Sequence, residues 1–147
     1  MDAKEIFVEF LENNKLMQLA SQKDGSLWIC NLYFASDKAG NIYWTSARHR
    51  RHSVEIEANP IVAASIVNDE VKKQAIQISG KAYRVPVKDS EAVDLIYGAK
   101  FGHKDSRLSD IKTDTSSSRA YWILKPEVIE LWDEVNFPDH AKQRVNL

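Results

Sequence analysis

The chain has a single cysteine, Cys30, so no intrachain disulfide can staple it. That scarcity agrees with a reducing compartment. No apolar run approaches the roughly 18 residues needed to cross a bilayer. The first residues, Met1-Asp2-Ala3-Lys4-Glu5, lack the basic-then-apolar order of a signal peptide. The expectation is a cytoplasmic protein with no membrane partner. An excess of one charge is lacking too. The formal net charge is −1, which excludes the chain as a whole as an electrostatic binder of nucleic acid or membrane. The histidines are His49, His52, His103 and His140, and none has the spacing to cysteine or carboxylate that zinc or iron requires. No metal is expected.

What is present is ordinary globular material. The 147 residues are 44% hydrophobic and 28% charged, and their number suits one domain over 1–147. At this length folding buries about two-thirds of the unfolded surface, enough for a core without metal or disulfide.

Ile6, Phe7, Phe10 and Leu11 fall at helical spacing, so residues 2–13 read as an amphipathic helix, with Asp2 and Glu5 suiting its first turn. Strands follow at about 16–20, 27–35 and 42–45. Lys23-Asp24-Gly25-Ser26 and Asp37-Lys38-Ala39-Gly40-Asn41 are the turns between them, which predicts an antiparallel meander. A helix over about 47–58 stops at Asn59-Pro60, because the residue before proline avoids the helical region. Two strands, 61–67 and 76–87, precede a surface helix over about 89–100 with Val93, Ile96 and Tyr97 inward. Residues 102–119 are polar and fit a long loop or a lid. A last strand region, 119–132, is broken by Lys125-Pro126, and a polar tail ends the chain. Six strands with few helices predict a mainly β fold closed as an antiparallel barrel, since closure hides the sheet edges.

Against a neutral background, Thr45-Ser46-Ala47-Arg48-His49-Arg50-Arg51-His52 is a dense basic cluster. Thr45 and Ser46 are good N-cap residues, and a helix is expected to begin just after them. Its first N–H groups would offer an anion seat, with arginine forks suited to phosphate oxygens. The same segment also fits a solvated basic helix face or a weak nucleic-acid patch.

Cys30 lies in an apolar strand with no base in view, so an inert thiol is the expectation. Trp28, Tyr33, Phe34, Tyr43, Trp44, Tyr83 and Trp122 sit mostly in strands and read as packing residues. Trp132 differs, since it lies where the last strand gives way to the tail and suits a ligand or a subunit interface.

Taken in order, these residues resemble a known family. Ile42-Tyr43-Trp44-Thr45-Ser46, then Arg51-His52, Ile56 and Asn59-Pro60 look like the cofactor segment of pyridoxamine 5′-phosphate oxidase-like, FMN-binding split-barrel proteins. Leu16 to Ala20, Asp24-Gly25-Ser26 and Leu27 to Phe34 resemble its first hairpin. Ile76-Gln77-Ile78-Ser79-Gly80-Lys81-Ala82 resembles its long strand. The resemblance implies a six-stranded split barrel, a homodimer with FMN between subunits, and a small-molecule substrate rather than nucleic acid. It sets Thr45 and Ser46 beside the flavin. Counting back from Pro60 puts Arg50, Arg51 and His52 where the family carries Ser-Arg-Lys. Arg51 then matches a phosphate ligand, and His52 makes that corner's charge depend on pH. Trp28 and Asn31 lie on the strand expected along the flavin ring. A glutamine of the later strand joins in the family, with Gln74 and Gln77 as the candidates here.

The tail narrows the activity. Leu131-Trp132-Asp133 is similar to the start of the family's Phe-Trp-Gln-Gly, which implies that Trp132 packs on the flavin across the dimer. His140 falls at the histidine of the following motif and Lys142 stands in for its last arginine. Pro138 occupies the position of the substrate-gripping arginine. The expectation is therefore an FMN-dependent oxidoreductase of unassigned substrate, not a true pyridoxamine 5′-phosphate oxidase. Its site residues are Trp28, Asn31, Thr45, Ser46, Arg50, Arg51, His52, Trp132 and Lys142, with no catalytic side chain assigned. His140, Tyr97 and residues 102–119 would wall the substrate. The alternatives are a non-enzymatic flavin carrier or sensor, or a relative that binds haem, a deazaflavin or no cofactor.

Overall fold

The computed structural model of the chain describes residues 1–68, 70, 73–104 and 106–147. Helix α1 (Ala3–Asn13) starts at Asp2, whose carboxylate accepts from the Glu5 amide while Glu5 answers to the Asp2 amide. That reciprocal cap satisfies two end donors that no helical carbonyl can reach. Ile6, Phe7, Phe10 and Leu11 are the buried stripe, as their spacing predicts. Strands β1 (Leu16–Lys23) and β2 (Ser26–Tyr33) form a hairpin in register from Leu16↔Tyr33 to Lys23↔Ser26. Asp24 and Gly25 close it at φ 52° and 78°, the left-handed pair a two-residue hairpin needs.

The expected meander does not form. Strand β3 (Ala35–Ser36) pairs with β4 (Ile42–Ala47), but β4 pairs onward with β7 (Arg119–Asp133). Strands β5 (Ile61–Val67) and β6 (Gln74–Arg84) lie between β1 and β7, giving the order β2-β1-β5-β6-β7-β4-β3. β2 and β3 thus stand at opposite ends of the sheet, yet only Phe34 separates them in sequence. One extended run therefore touches both edges and curls the sheet into a barrel. Fully buried Phe34 marks the crossing.

Among the described residues the strands number eight rather than six, for two reasons. β3 has only two residues, too few for a periodicity signal. The expected polar tail instead supplies β8 (Lys142–Val145), which pairs with β7 from Ile129↔Val145 to Trp132↔Lys142. Nor does Lys125-Pro126 break β7. The register slips opposite it, so that Ser79 faces Val128 while Gly80 faces Pro126. A Cβ on Gly80 would lie 2.3 Å from the Lys125 carbonyl oxygen, so only glycine lets the two backbones close there.

Helix α2 (Arg51–Ala58) follows β4 after a turn at 48–50. A short 3-10 turn (Val87–Asp89) leads into α3 (Ser90–Phe101), and the polar 102–119 stretch contains α4 (Leu108–Thr113); Asp105 within it lies outside the described residues. α3 is tied to α1 by Lys100, whose Nζ donates to the Leu11 carbonyl at 2.9 Å and also to that of Asn14. The barrel interior is filled by Met17, Leu19, Ile66, Ile76, Leu131 and the cross-strand pair Trp44↔Trp122, all fully buried. Burying each contributes roughly 1.5–3 kcal/mol, which makes this the main stabilising layer.

Candidate functional site

β4 ends beside β2 and α2, and the three elements leave a cleft of about 290 Å³ between them. Thr45, Ser46 and Ala47 form its floor, Asn31 and Tyr33 stand on the β2 side, and Arg50, His52, Tyr97 and Arg119 close it. Thr45 and Ser46 are strand residues, not the N-cap that the sequence suggested. The N-cap is Arg50, in extended conformation with no side-chain cap hydrogen bond. The reason is non-local. Ala47 pairs with Arg119, and the Trp122 indole N–H donates 3.1 Å to the Ser46 carbonyl, so tertiary pairing keeps the strand going to Ala47.

The cluster's basic residues separate in the fold. Arg48 turns to Asp114 at 3.1 Å and to the Thr115 carbonyl. Arg51 Nε donates to Glu55 at 2.8 Å, its Nη2 lies 3.3 Å from Ser26 Oγ, and its guanidinium stacks 4.2 Å from the Trp28 ring centre. Arg51 and Trp28 thus flank the cleft on the hairpin side without lining it. Glu55 is buried and also accepts from Ser21 at 2.8 Å. Burial works against its charge, but the hydrogen bonds from Arg51 and Ser21 prevail and hold the carboxyl below its ordinary range. Arg50, by contrast, has no ion pair among the described residues.

His52 is buried, with Nε2 at 2.9 Å from Ser46 Oγ. Burial and the Arg50 charge together press its pKa below the ordinary value, against a weaker pull from Glu55. The imidazole is therefore neutral at neutral pH. Cys30 behaves as an inert thiol, since burial and then Glu55 raise its pKa to about 11.

Arg119 escapes a sequence reading. It opens β7, where it is only the first residue of an apolar strand, yet its Nε lies 3.3 Å from Thr45 Oγ1 and its Nη2 donates 3.1 Å to the Thr45 carbonyl. It also lines an adjoining chamber of about 200 Å³, walled by Tyr97, Phe101, His103, Arg107 and Tyr121. Asp94 lies there too, already bonded to Tyr121 Oη at 2.6 Å and Ser106 Oγ at 2.8 Å.

Trp132 and Lys142 are elsewhere. They pair across β7 and β8 and line a separate cleft of about 320 Å³ with Gln77 and Glu130. Lys142 lies 3.3 Å from Glu130, and Trp132 Nε1 donates to Glu134 at 3.1 Å. Of the two glutamines, Gln74 is engaged with Asp133 at 3.0 Å, whereas Gln77 faces outward along this cleft and the neighbouring sheet surface. His140 is exposed, and its carbonyl accepts from Gln143. Among the described residues no group of three histidine, cysteine or carboxylate side chains could hold a metal ion. No described helix is long and apolar enough to cross a membrane.

The family described as pyridoxamine 5′-phosphate oxidase matches residues 3–133, and the chain belongs to it. No curated protein matches. Among solved structures, an FAD-binding protein from Mesorhizobium loti superposes with TM-score 0.68 at 19% identity, over 89% of this chain and 94% of that one. An F420 reductase gives 0.64 at 19% identity, over 82% and 93%. A heme binding protein from Mycobacterium smegmatis gives 0.68 at 14% identity, over 89% of this chain but only 54% of its own length. At these identities the likeness establishes the split-barrel fold.

Proposed function

We propose that this member of the pyridoxamine 5′-phosphate oxidase family binds FMN in the cleft between β2, β4 and α2 and acts as an FMN-dependent oxidoreductase. The observation that carries the reading is convergence. Asn31 of β2, Thr45, Ser46, Arg50 and His52 of the basic segment, and Arg119 from far along the chain line one cleft. Its donors are hydroxyls, an imidazole and guanidinium groups without a matching carboxylate, a set that fits a phosphate and would repel little else of negative charge. On the hairpin side of it, β2 exposes Trp28 at 42%, an aromatic surface that fits the edge of a flat ring.

The bound flavin supplies hydride and electron transfer, and the chain supplies binding, orientation and water exclusion. Thr45, Ser46, Arg50 and His52 would hold the phosphate end, with Arg51 bordering it, while Trp28 and Asn31 border the ring. Trp132 and Lys142 lie in a different cleft of the same chain, so they reach a flavin only when a second copy brings them. The homodimer that the resemblance implies would bring them there, and the small residues Ala20, Ala63, Ser65 and Ser79 on the outer sheet face suit such a contact. The fold shared with an FAD-binding protein and an F420 reductase supports a flavin-type cofactor. The haem reading is disfavoured because the cleft's imidazole is buried and directs Nε2 to Ser46. Pro138 in place of a substrate-gripping arginine supports a substrate other than pyridoxamine phosphate.

The test is an absorbance and fluorescence titration of the purified protein with FMN, alongside a sizing column. Saturable quenching of flavin fluorescence by a dimer is expected. A protein that leaves flavin fluorescence unchanged, or elutes as a monomer when loaded, would sink the reading.

A further inference from the structure

Arg119 lines both chambers, and the charges of Arg107 and Arg50 both act on it. Arg119 is half-buried, Arg107 lies in the adjoining chamber, and Arg50 lies at the other side. Burial comes first and the Arg107 charge second among the effects that lower the pKa of Arg119, and Arg50 adds to them. Tyr97 and Asp110 oppose the drop without reversing it, and Asp110 bonds the Arg119 backbone N–H at 2.7 Å rather than its guanidinium. No carboxylate forms an ion pair with Arg50, Arg107 or Arg119 among the described residues. A guanidinium carries five N–H donors, and Thr45 engages only two groups of Arg119. Arg119, partly out of water with two exposed cations acting on it and no carboxylate paired to it, carries a cost that a bound anion removes.

Arg51 is in the opposite condition. Its charge is matched by buried Glu55, its Nη2 reaches Ser26 and its plane covers Trp28. Freeing it would strand a buried carboxylate.

We propose that the anionic group of this protein's ligand is gripped by Arg119, with Thr45 orienting its guanidinium and Arg50 facing it, and that Arg51 is a structural residue. This deepens the flavin reading and rests on it for the ligand's identity. The seat itself is for a phosphate-type dianion. Arg119 reaches it from the last long strand, through a pairing with β4 that no local motif announces.

The test compares FMN with riboflavin, which lacks the phosphate, by fluorescence titration of the full chain and its R119A, R119K and R119Q variants. R119A should weaken FMN binding tenfold or more and leave riboflavin binding within twofold, with R119K intermediate. FMN binding equal to wild type in R119A overturns the proposal while leaving the flavin reading intact. Equal loss for FMN and riboflavin also overturns it, because the effect is then structural; R119Q and far-UV circular dichroism guard against misfolding. Should the wild type bind neither flavin, that reading falls, and inorganic phosphate becomes the probe. A thermal midpoint raised by phosphate in wild type and not in R119A supports the seat; an equal rise, or none, overturns it.

Discussion

Along β1, β5, β6 and β7 the side chains alternate between two faces of unlike chemistry. The inner face carries Leu19, Ile66, Ile76 and Leu131, each wholly out of water. The outer face of the same strands carries Gln18, Ala20, Ala63, Ser65, Gln77 and Ser79, which border a shallow groove of about 390 Å³ with Ile29 and Val128. Sequence neighbours thus belong to different materials. Large aliphatic residues fill a volume that only this chain can fill. Small ones leave a low surface onto which another sheet can settle closely, because short side chains let backbones approach. The acid lining that groove, Glu130, is matched by Lys142 and Arg144 at 3.3 and 3.0 Å. The inner face makes the fold, and the outer face is the one we propose receives a second copy of the chain.

The sharpest way to break this contrast is to mutate both faces of one strand. Ile66→Ala removes a fully buried side chain, and large-to-small changes of that kind cost about 2–5 kcal/mol. Ala63→Arg, on the exposed side of the same strand, should leave monomer stability within about 0.5 kcal/mol, as surface changes do. It should instead shift the protein from dimer to monomer on a sizing column. Thermal melts and elution volumes separate the outcomes, and a dimer that survives Ala63→Arg would show that the outer face is not the contact.

The two faces also differ in how far they can be read from sequence. The inner one follows from period-2 alternation, and α1 and the Asp24-Gly25 hairpin are equally plain, since each rests on neighbouring residues. What escapes reading rests on distant ones. β8 is a strand only because β7 offers it an edge. β7 runs through Pro126 only because Gly80, far back in the chain, has no Cβ to obstruct it. Thr45 and Ser46 have the chemistry of an N-cap but become strand because Tyr121 and Ala120 pair with them. The candidate site divides the same way. Its β4–α2 half, Thr45 to His52, is visible as a basic segment. Arg119 is not, and neither is the diversion of Arg51 to Glu55, which depends on Ser21 and Trp28 of the first hairpin.

A middle-sized effect tests that diversion. Arg51→Ala leaves the Glu55 carboxylate buried with only Ser21 as partner. Breaking a fully buried pair costs about 3–5 kcal/mol. Solvent reaches the Arg51 side chain, so about 2 kcal/mol is expected here. The loss should appear in urea unfolding of the ligand-free protein, and Glu55→Gln, which removes the charge that needs Arg51, should restore part of it in the double mutant. Full stability in Arg51→Ala would return that arginine to the list of free cations.

The smallest effect concerns His52, where the cleft and the core meet. Its neutral form is favoured in the fold by burial and by Arg50, and only partly opposed by Glu55, so its folded pKa lies below the unfolded value of about 6.5. Above that value both states are neutral and the residue contributes its full share of stability. As pH falls through about 6.5 the unfolded chain takes up a proton that the folded chain refuses, and stability declines until the folded pKa is reached. His52→Gln keeps a group able to bond Ser46 but abolishes the titration. The wild-type-minus-mutant difference in unfolding free energy should therefore shrink as the pH is lowered from 7 toward 5. A bound dianion beside the ring favours the imidazolium, so FMN or phosphate should flatten this slope. A difference that does not change with pH would mean the ring titrates alike in both states, and that its burial beside Arg50 has no energetic consequence.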